Sequence, residues 1–184
     1  AEEIITTADI VLMQLETPLK TMRYAAEMAH RAGVPVILNP APAQPLDDEF
    51  LKIISILTPN ETEAELLTGI EVTDENSARK AADALLGKGL ESVIITLGAK
   101  GAFIATNSGS TMVPGFSVKA VDTTAAGDVF NGALAVSIAN DFNLDQCVRF
   151  SSAAAAISVT RLGAQTSAPG REEILQFLKK QGVS

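Results

Sequence analysis

Val121-Asp122-Thr123-Thr124-Ala125-Ala126-Gly127-Asp128-Val129-Phe130-Asn131-Gly132 is a run of mostly small residues held between two aspartates, and the rest of the chain is read outward from it. On its N-terminal side, the alternation Phe-Ser-Val-Lys-Ala-Val at 116–121 predicts a strand. On its C-terminal side, Val129, Phe130, Leu134 and Ile138 recur at a helical period, which predicts a helix near 128–139. Small side chains let a ligand approach the backbone closely, and a helix start leaves several N–H groups without partners. Those donors, at the positive end of the helix dipole, suit an anion such as a phosphate. Asp128 in the first turn is then placed to take a proton from a hydroxyl beside that anion. A base next to an anion hole is equipment for phosphoryl transfer to an alcohol. A plainer reading stands beside it: Asp128 complements the dipole and Asp122 closes a strand.

Further along, helices are predicted near 144–160 and at 171–180. Towards the N-terminus, apolar runs at 10–14, 34–38, 53–57 and 92–97 read as buried strands. Between them, Thr17 reads as an N-cap with Pro18 as the first helical residue, and Gly33 ends that helix. A short helix over 60–67 is closed by Gly69, and 74–87 carries Ala78, Ala81, Ala82 and Leu85 on one face. Residues 107–110 read as a hairpin turn joining strands at 102–106 and 111–113. Continuous apolar strands alternating with helices imply an α/β fold with a mostly parallel sheet covered on both faces, in a single domain over 1–184. Ligands of such sheets sit at the carboxyl ends of the strands. Glu16, Asn39, Asn60, Gly98 and the central turn all follow predicted strand ends, so one rim is expected to collect them.

Composition narrows the function. A hydrophobic fraction of 47% with 20% charged residues is globular. The formal net charge of -8 argues against nucleic acid or an anionic membrane surface as a partner. Cys147 is the single cysteine, so no intrachain disulfide forms, and His30 is the single histidine, which removes Ser-His-Asp chemistry and histidine metal clusters. No apolar run reaches the roughly 18 residues of a membrane span, and the expectation is a soluble cytoplasmic protein.

Three other stretches carry chemistry. Asn60-Glu61-Thr62-Glu63 reads either as a hold on phosphate oxygens and magnesium-bound water or as a capping box, Asn60 capping and Glu63 answering. Thr96-Leu97-Gly98-Ala99-Lys100-Gly101 is either a plain glycine turn or a loop on which a nucleotide lies flat. The fingerprints GxxxxGK[ST] and GxGxxG are both absent, against a P-loop enzyme or an ordinary dinucleotide enzyme. Arg161-Leu162-Gly163-Ala164 reads as a helix end whose carbonyls are also able to ligate a cation.

Together these residues carry a resemblance. Asp122 to Asp128, with Phe130-Asn131-Gly132 behind it, resembles the C-terminal signature of the ribokinase (PfkB-type) sugar kinases. Asn60-Glu61-Thr62-Glu63 is similar to that family's N-x-x-E motif and residues 96–101 to its nucleotide loop. The spelling Ala125-Ala126-Gly127, the tail Val159 to Ser167, Met13-Gln14-Leu15-Glu16 and Leu38-Asn39-Pro40-Ala41-Pro42-Ala43 point to the ribokinase branch.

The resemblance implies a three-layer, Rossmann-like ribokinase-type fold and transfer from ATP to D-ribose, giving D-ribose 5-phosphate, with another sugar or nucleoside kinase, or a nucleotide-binding fragment without catalysis, as alternatives. By position it implies Asp128 as base, with the amides of Ala125, Ala126 and Gly127 as the anion hole. Asn60, residues 96–101 (Thr96, Leu97, Gly98, Ala99, Lys100, Gly101), Gly127 and Ser152 would lie along the nucleotide, and Glu16 with Asp128 would meet the sugar. Glu63 would help to place Mg2+, while Asp122, Thr124, Ser158, Arg161, Gly163 and Ser167 match positions around an activating monovalent cation, K+. The family's N-terminal half and its lid, which mediates homodimers, have no counterpart among these residues.

Overall fold

Strands β1 (Val11–Gln14), β2 (Val36–Asn39), β3 (Ile56–Leu57) and β4 (Ser92–Thr96) run parallel, each paired with the next in chain order. The computed structural model describes residues 2–182. A hairpin then adds β5 (Gly101–Thr106), antiparallel to β4, and β6 (Gly109–Pro114), for a sheet of order β1-β2-β3-β4-β5-β6. The expected α/β architecture with a mostly parallel sheet is present. All four residues of β2 are buried, as a strand of continuous apolar sequence requires.

The chain divides into two compact units. The first comprises residues up to Gly98 together with Ala102–Met112. Its helices are α1 (Glu2–Thr6), α2 (Leu19–Arg31), α3 (Asp48–Leu51), α4 (Glu61–Thr68) and α5 (Glu75–Leu86). Met22, Ala26 and Ala29 of α2 and Ala78, Ala81, Ala82 and Leu85 of α5 join Leu38, Leu57, Val93, Ile95 and Phe103 in its core. The alanines on these faces bring helix backbone close to the strands without loss of side-chain entropy. Asn60 caps α4 and Asp74 caps α5, each in a reciprocal box with the residue three further on, and Gly69 (φ 73) closes α4.

The second unit comprises Ala99–Gly101 and the chain from Val113 onward. Here α6 (Ala126–Ile138) and α7 (Leu144–Ser158) form an antiparallel pair, and α8 (Arg171–Lys180) packs on α7 through Ile174 against Phe150, Ala153, Ala154 and Ile157. Phe116 meets Phe177 edge to face at 5.2 Å.

Four expectations are corrected. Residues 116–121 form no strand. Their alternation is real, but a strand needs a neighbouring edge, and the Val121 and Asp122 amides instead bond to the Val159 carbonyl at the end of α7 (2.7 and 3.1 Å). The central turn therefore does not follow a strand end. Pro18, in extended geometry, is the cap of α2 in place of Thr17, which makes no capping bond; the Pro18 carbonyl accepts from Thr21 and Met22. β3 is shorter than 53–57 because Ile53 and Ile54 turn back onto Phe50 and Leu51 of α3, a helix the sequence reading did not foresee. Arg161 does not end α7, which stops at Ser158; it stands in the following turn, its amide on the Ser158 carbonyl.

Gly101 is where backbone approaches backbone. A Cβ there would lie 2.0 Å from the Val113 carbonyl oxygen and 2.5 Å from the Gly115 nitrogen, at φ +111°. Gly132, inside α6, has open space instead. Gly101→Ala is expected to destabilise by about 2 kcal/mol or more, and Gly132→Ala to stabilise slightly, in urea unfolding. An unfolding midpoint for Gly101→Ala equal to the parent's would remove the close approach.

Candidate active site

In the first unit the carboxyl ends of the parallel strands present polar residues. Glu16 is exposed in the turn after β1, beside Leu15, whose amide bonds to the Ala41 carbonyl at 2.7 Å. Asn39 ends β2 and is 7% exposed. Asn60 follows β3, and the loop at 96–101 follows β4. The Thr96 amide donates to the Pro59 carbonyl (2.9 Å), and Asn60 and Thr96 form a parallel bridge. The start of the proposed nucleotide loop is thereby laid beside Asn60.

The Asn60–Glu63 capping box is complete. Glu63 Oε2 accepts from the Asn60 amide and Oε1 from Asn60 Nδ2, while the Glu63 amide donates to Asn60 Oδ1, each at 2.9 Å. Glu63 is buried, which pushes its carboxyl above the usual range despite these bonds. The structural reading of the motif is realised, and the geometry keeps the functional one open. Each oxygen accepts one bond and keeps lone-pair capacity, so a fixed carboxylate remains for magnesium-bound water. Among the described residues no cluster of three or more acidic, histidine or cysteine side chains surrounds a metal position. A magnesium ion placed by Glu63 would thus be completed by water and phosphate oxygens, the usual preference of that ion.

The loop itself is a single 3₁₀ turn, Gly98–Lys100, between Gly98 at φ 54° and Gly101 at φ 111°. Leu97 is buried, Ala99 and Lys100 are exposed, and the Lys100 carbonyl accepts from Gly115 at 3.1 Å. Positive φ at both glycines is what lets so short a loop turn without strain.

In the second unit the geometry is set by Asp122. Its Oδ1 accepts from the Thr124 amide (2.9 Å) and its Oδ2 from the Gly163 amide, 41 residues on (3.0 Å). The Thr124 hydroxyl and these two amides hold its carboxyl down to about 2. Next to it Ala125 is left-handed (φ 60°, ψ 14°), an uncommon state for a residue with a Cβ, and that kink aims the chain into α6. The Ala126 amide donates to the Thr123 carbonyl at 3.3 Å, a bond at the long end of the range. Gly127 and Asp128 stand exposed in the first turn. Ala125, Asp128, Gly132, Phe150, Ala164 and Arg171 are among the residues lining a groove of about 640 Å³.

Buried Asn131 donates from Nδ2 to the Gly127 carbonyl (2.9 Å), pinning the turn that carries Asp128. The sequence reading gave it no role, although an asparagine inside a helix is a signal in itself.

The remaining cation-site positions gather at the end of α7 and the loop after it. The buried hydroxyls of Ser158 and Ser167 donate to the Ala155 and Ala164 carbonyls, both at 2.8 Å. Each hydroxyl oxygen still accepts. Gly163 has φ 93°, and the Arg161 guanidinium pairs with Glu173, so Arg161 is able to serve a cation only through its carbonyl. Ser152 lies half-buried on α7.

Residues 1–171 match the sequence model of the pfkB family carbohydrate kinases. The chain belongs to that family. It is 55% identical over 179 residues to a ribokinase of Haemophilus influenzae, a match covering 97% of this chain and 58% of that protein. Among solved structures, an Arabidopsis thaliana ribokinase complexed with ribose and ATP superposes with TM-score 0.93 at 35% identity, covering 97% of this chain and 58% of that one. A Thermotoga maritima ribokinase gives 0.86 at 45%, covering 97% and 59%. The chain spans somewhat under three fifths of the length of these relatives.

Because Asp122 is depressed in the folded state, its contribution to stability is present above the ordinary carboxylate range and is lost as pH falls from about 4 towards about 2. Asp122→Asn should melt below the parent at pH 5, with the gap closing as pH approaches 2. A gap constant over that range in thermal melts would show that the two amide bonds carry no charge-dependent stability.

Proposed function

We propose that this chain is the nucleotide-binding and catalytic portion of an ATP-dependent sugar kinase of the cytoplasm, with D-ribose as acceptor and D-ribose 5-phosphate as product. The observation that carries the reading is the turn before α6: Asp122 ties it down, Ala125 kinks it, and Asp128 follows within the first turn of the helix. In this reading Asp128 takes the proton from the primary hydroxyl of the sugar as its oxygen attacks the γ-phosphorus in line, and ADP departs. The amides of Ala125, Ala126 and Gly127 receive the charge that develops on the transferred group. Asn60 and residues 96–101, with Gly127 and Ser152, lie along the nucleotide, and Glu16 with Asp128 meets the sugar. Mg2+, held by phosphate oxygens and by water on Glu63, would neutralise phosphate charge.

K+ at Asp122, Thr124, Ser158, Arg161, Gly163 and Ser167 would stiffen the loop that forms the anion hole. The complete protein would act as a homodimer, without nucleic-acid or membrane partners; among the described residues no helix is long and apolar enough to cross a membrane.

A second reading keeps the chemistry and changes the sugar. A deoxyribokinase of Salmonella typhi is 38% identical over 179 residues, covering 97% of this chain and 58% of that protein, and of the proposed site residues only Glu16 and Asp128 are assigned to the sugar. Parallel assays with ribose and deoxyribose on a complete enzyme carrying this segment separate the two.

In such an enzyme Asp128→Asn is expected to lower kcat by about 10²–10⁴-fold with ATP affinity retained. Turnover within twofold of the parent would end the assignment of the base. Replacing K+ by Na+ at equal ionic strength should lower activity; equal rates in the two salts, and in a large organic cation, would dismiss the monovalent site.

A further inference from the structure

The loop at 159–170 leaves α7 and re-enters the fold at α8, and it holds Gly163, one of the two amides that grip Asp122. Its base is closed by an ion pair between Arg161 and Glu173. Glu173 is a fixed post. Its neighbour Ile174 is 3% exposed and packs α8 onto α7, and Phe177, one turn further on, meets Phe116. Arg161 in turn sits two residues before Gly163, and its own amide is anchored on the Ser158 carbonyl at 3.0 Å. Leu162 between them is 73% exposed, so apolar packing does not hold this part of the loop. What fixes the Gly163 amide is polar: Asp122 accepts from its N–H, the Thr166 hydroxyl donates to the Leu162 carbonyl of the same peptide group at 3.2 Å, and the Arg161 pair holds the chain two residues before it.

We infer that Glu173 is a positioning residue for the anion hole, acting through Arg161 to hold the 159–170 loop so that the Gly163 amide meets Asp122 and the turn at 122–125 keeps its shape. The inference rests on the reading of that turn as the anion site. The chain of contacts is continuous: Glu173 to Arg161, along the backbone to Gly163, across to Asp122 Oδ2, and from Oδ1 to the Thr124 amide beside Ala125. Both members of the ion pair are partly exposed, at 38% and 44%, so the pair is of the modest class whose removal changes local equilibria by small factors. Removing it should loosen the loop without unfolding the molecule.

The test is amide hydrogen exchange by NMR on the whole 184-residue chain. Glu173→Gln is expected to speed exchange at Gly163 and Thr124 by about two- to fivefold, with Ala153 and Ala154 inside α7 unchanged. Arg161→Ala should do the same, the double variant should be no faster than either single one, and Glu173→Asp should restore slow exchange. Unchanged rates at Gly163 and Thr124 in Glu173→Gln, or additive effects in the double variant, overturn the inference. A titration of the parent with inorganic phosphate, followed at the Ala126 and Gly127 amides, reports on the anion site separately. If phosphate leaves those amides unmoved, the anion reading falls while the exchange result still decides whether Glu173 orders the loop.

Discussion

Parallel pairing of β1 to β4 is the constraint on which the first unit depends. Once Val11 pairs with Val36, Ile37 with Ile56 and Ile56 with Ser92, every strand of that set ends on the same edge. Parallel strands need crossover connections, and here each crossover carries a helix: α2 and α5 bury alanine-rich faces, and the short α3 buries Phe50 and Leu51. The polar residues that follow the strands are then collected without any direct attraction between them. Glu16, Asn39, Asn60 and Gly98 come from four loops far apart in sequence, and the sheet alone brings them to one edge. The Asn60–Thr96 bridge extends the pairing beyond the named strands, which is why the cap of α4 and the start of the 96–101 loop are so closely registered.

The second unit solves a different problem by different means. It has little sheet of its own, so its site loop is shaped by one carboxylate. Asp122 takes an amide from each of two segments separated by 41 residues, and both bonds are to a group that stays charged. Hydrogen bonds to a charged acceptor are stronger than neutral ones. The left-handed Ala125 is strain that this tie makes tolerable, and strain of this kind concentrates at functional turns. Asn131 repeats the device one turn into α6, where it pins the Gly127 carbonyl.

Much of this was legible in the sequence where a local rule operates. Asn60 with Glu63 and Gly69 announce the two ends of α4 because capping chemistry is confined to four or five residues. Arg171–Lys180 was readable because an amphipathic stripe repeats within it. The errors fall where local pattern lacks a partner or lacks length. Residues 116–121 alternate, but alternation specifies a face and says nothing about an edge to pair with. A four-residue helix such as α3 has no period to detect, and only the Asp47 cap, accepting from Phe50, marks it. The Asp122–Gly163 bond and the Arg161–Glu173 pair were illegible for a plainer reason: they join segments whose meeting is decided by how α7 and α8 pack. The roles of the motifs, in contrast, came from likeness to a family. Local reasoning alone left Asn60–Glu63 balanced between a cap and a phosphate site, and the structure shows that the cap geometry leaves the second use open.

An acidic chain proposed to hold polyphosphate poses an electrostatic question that these local devices answer. The net charge of -8 repels an anion at long range, but salt screens such repulsion over about 8 Å. Inside that distance the field is set by the nearest groups. At the start of α6 those are backbone amides and the helix dipole, which carry partial positive charge without adding to the net charge. Asp122 is close by, yet its two oxygens are turned to Thr124 and Gly163, so its charge is partly answered by donors. Arg161 is balanced by Glu173 in the same way. Such a turn would attract an anion mainly through oriented amides, with Arg171 the cationic side chain that lines the same groove as Asp128. If a triphosphate is held by such amides, a kinase built this way is expected to depend on its metal ions more steeply than one with a phosphate site lined by several arginines.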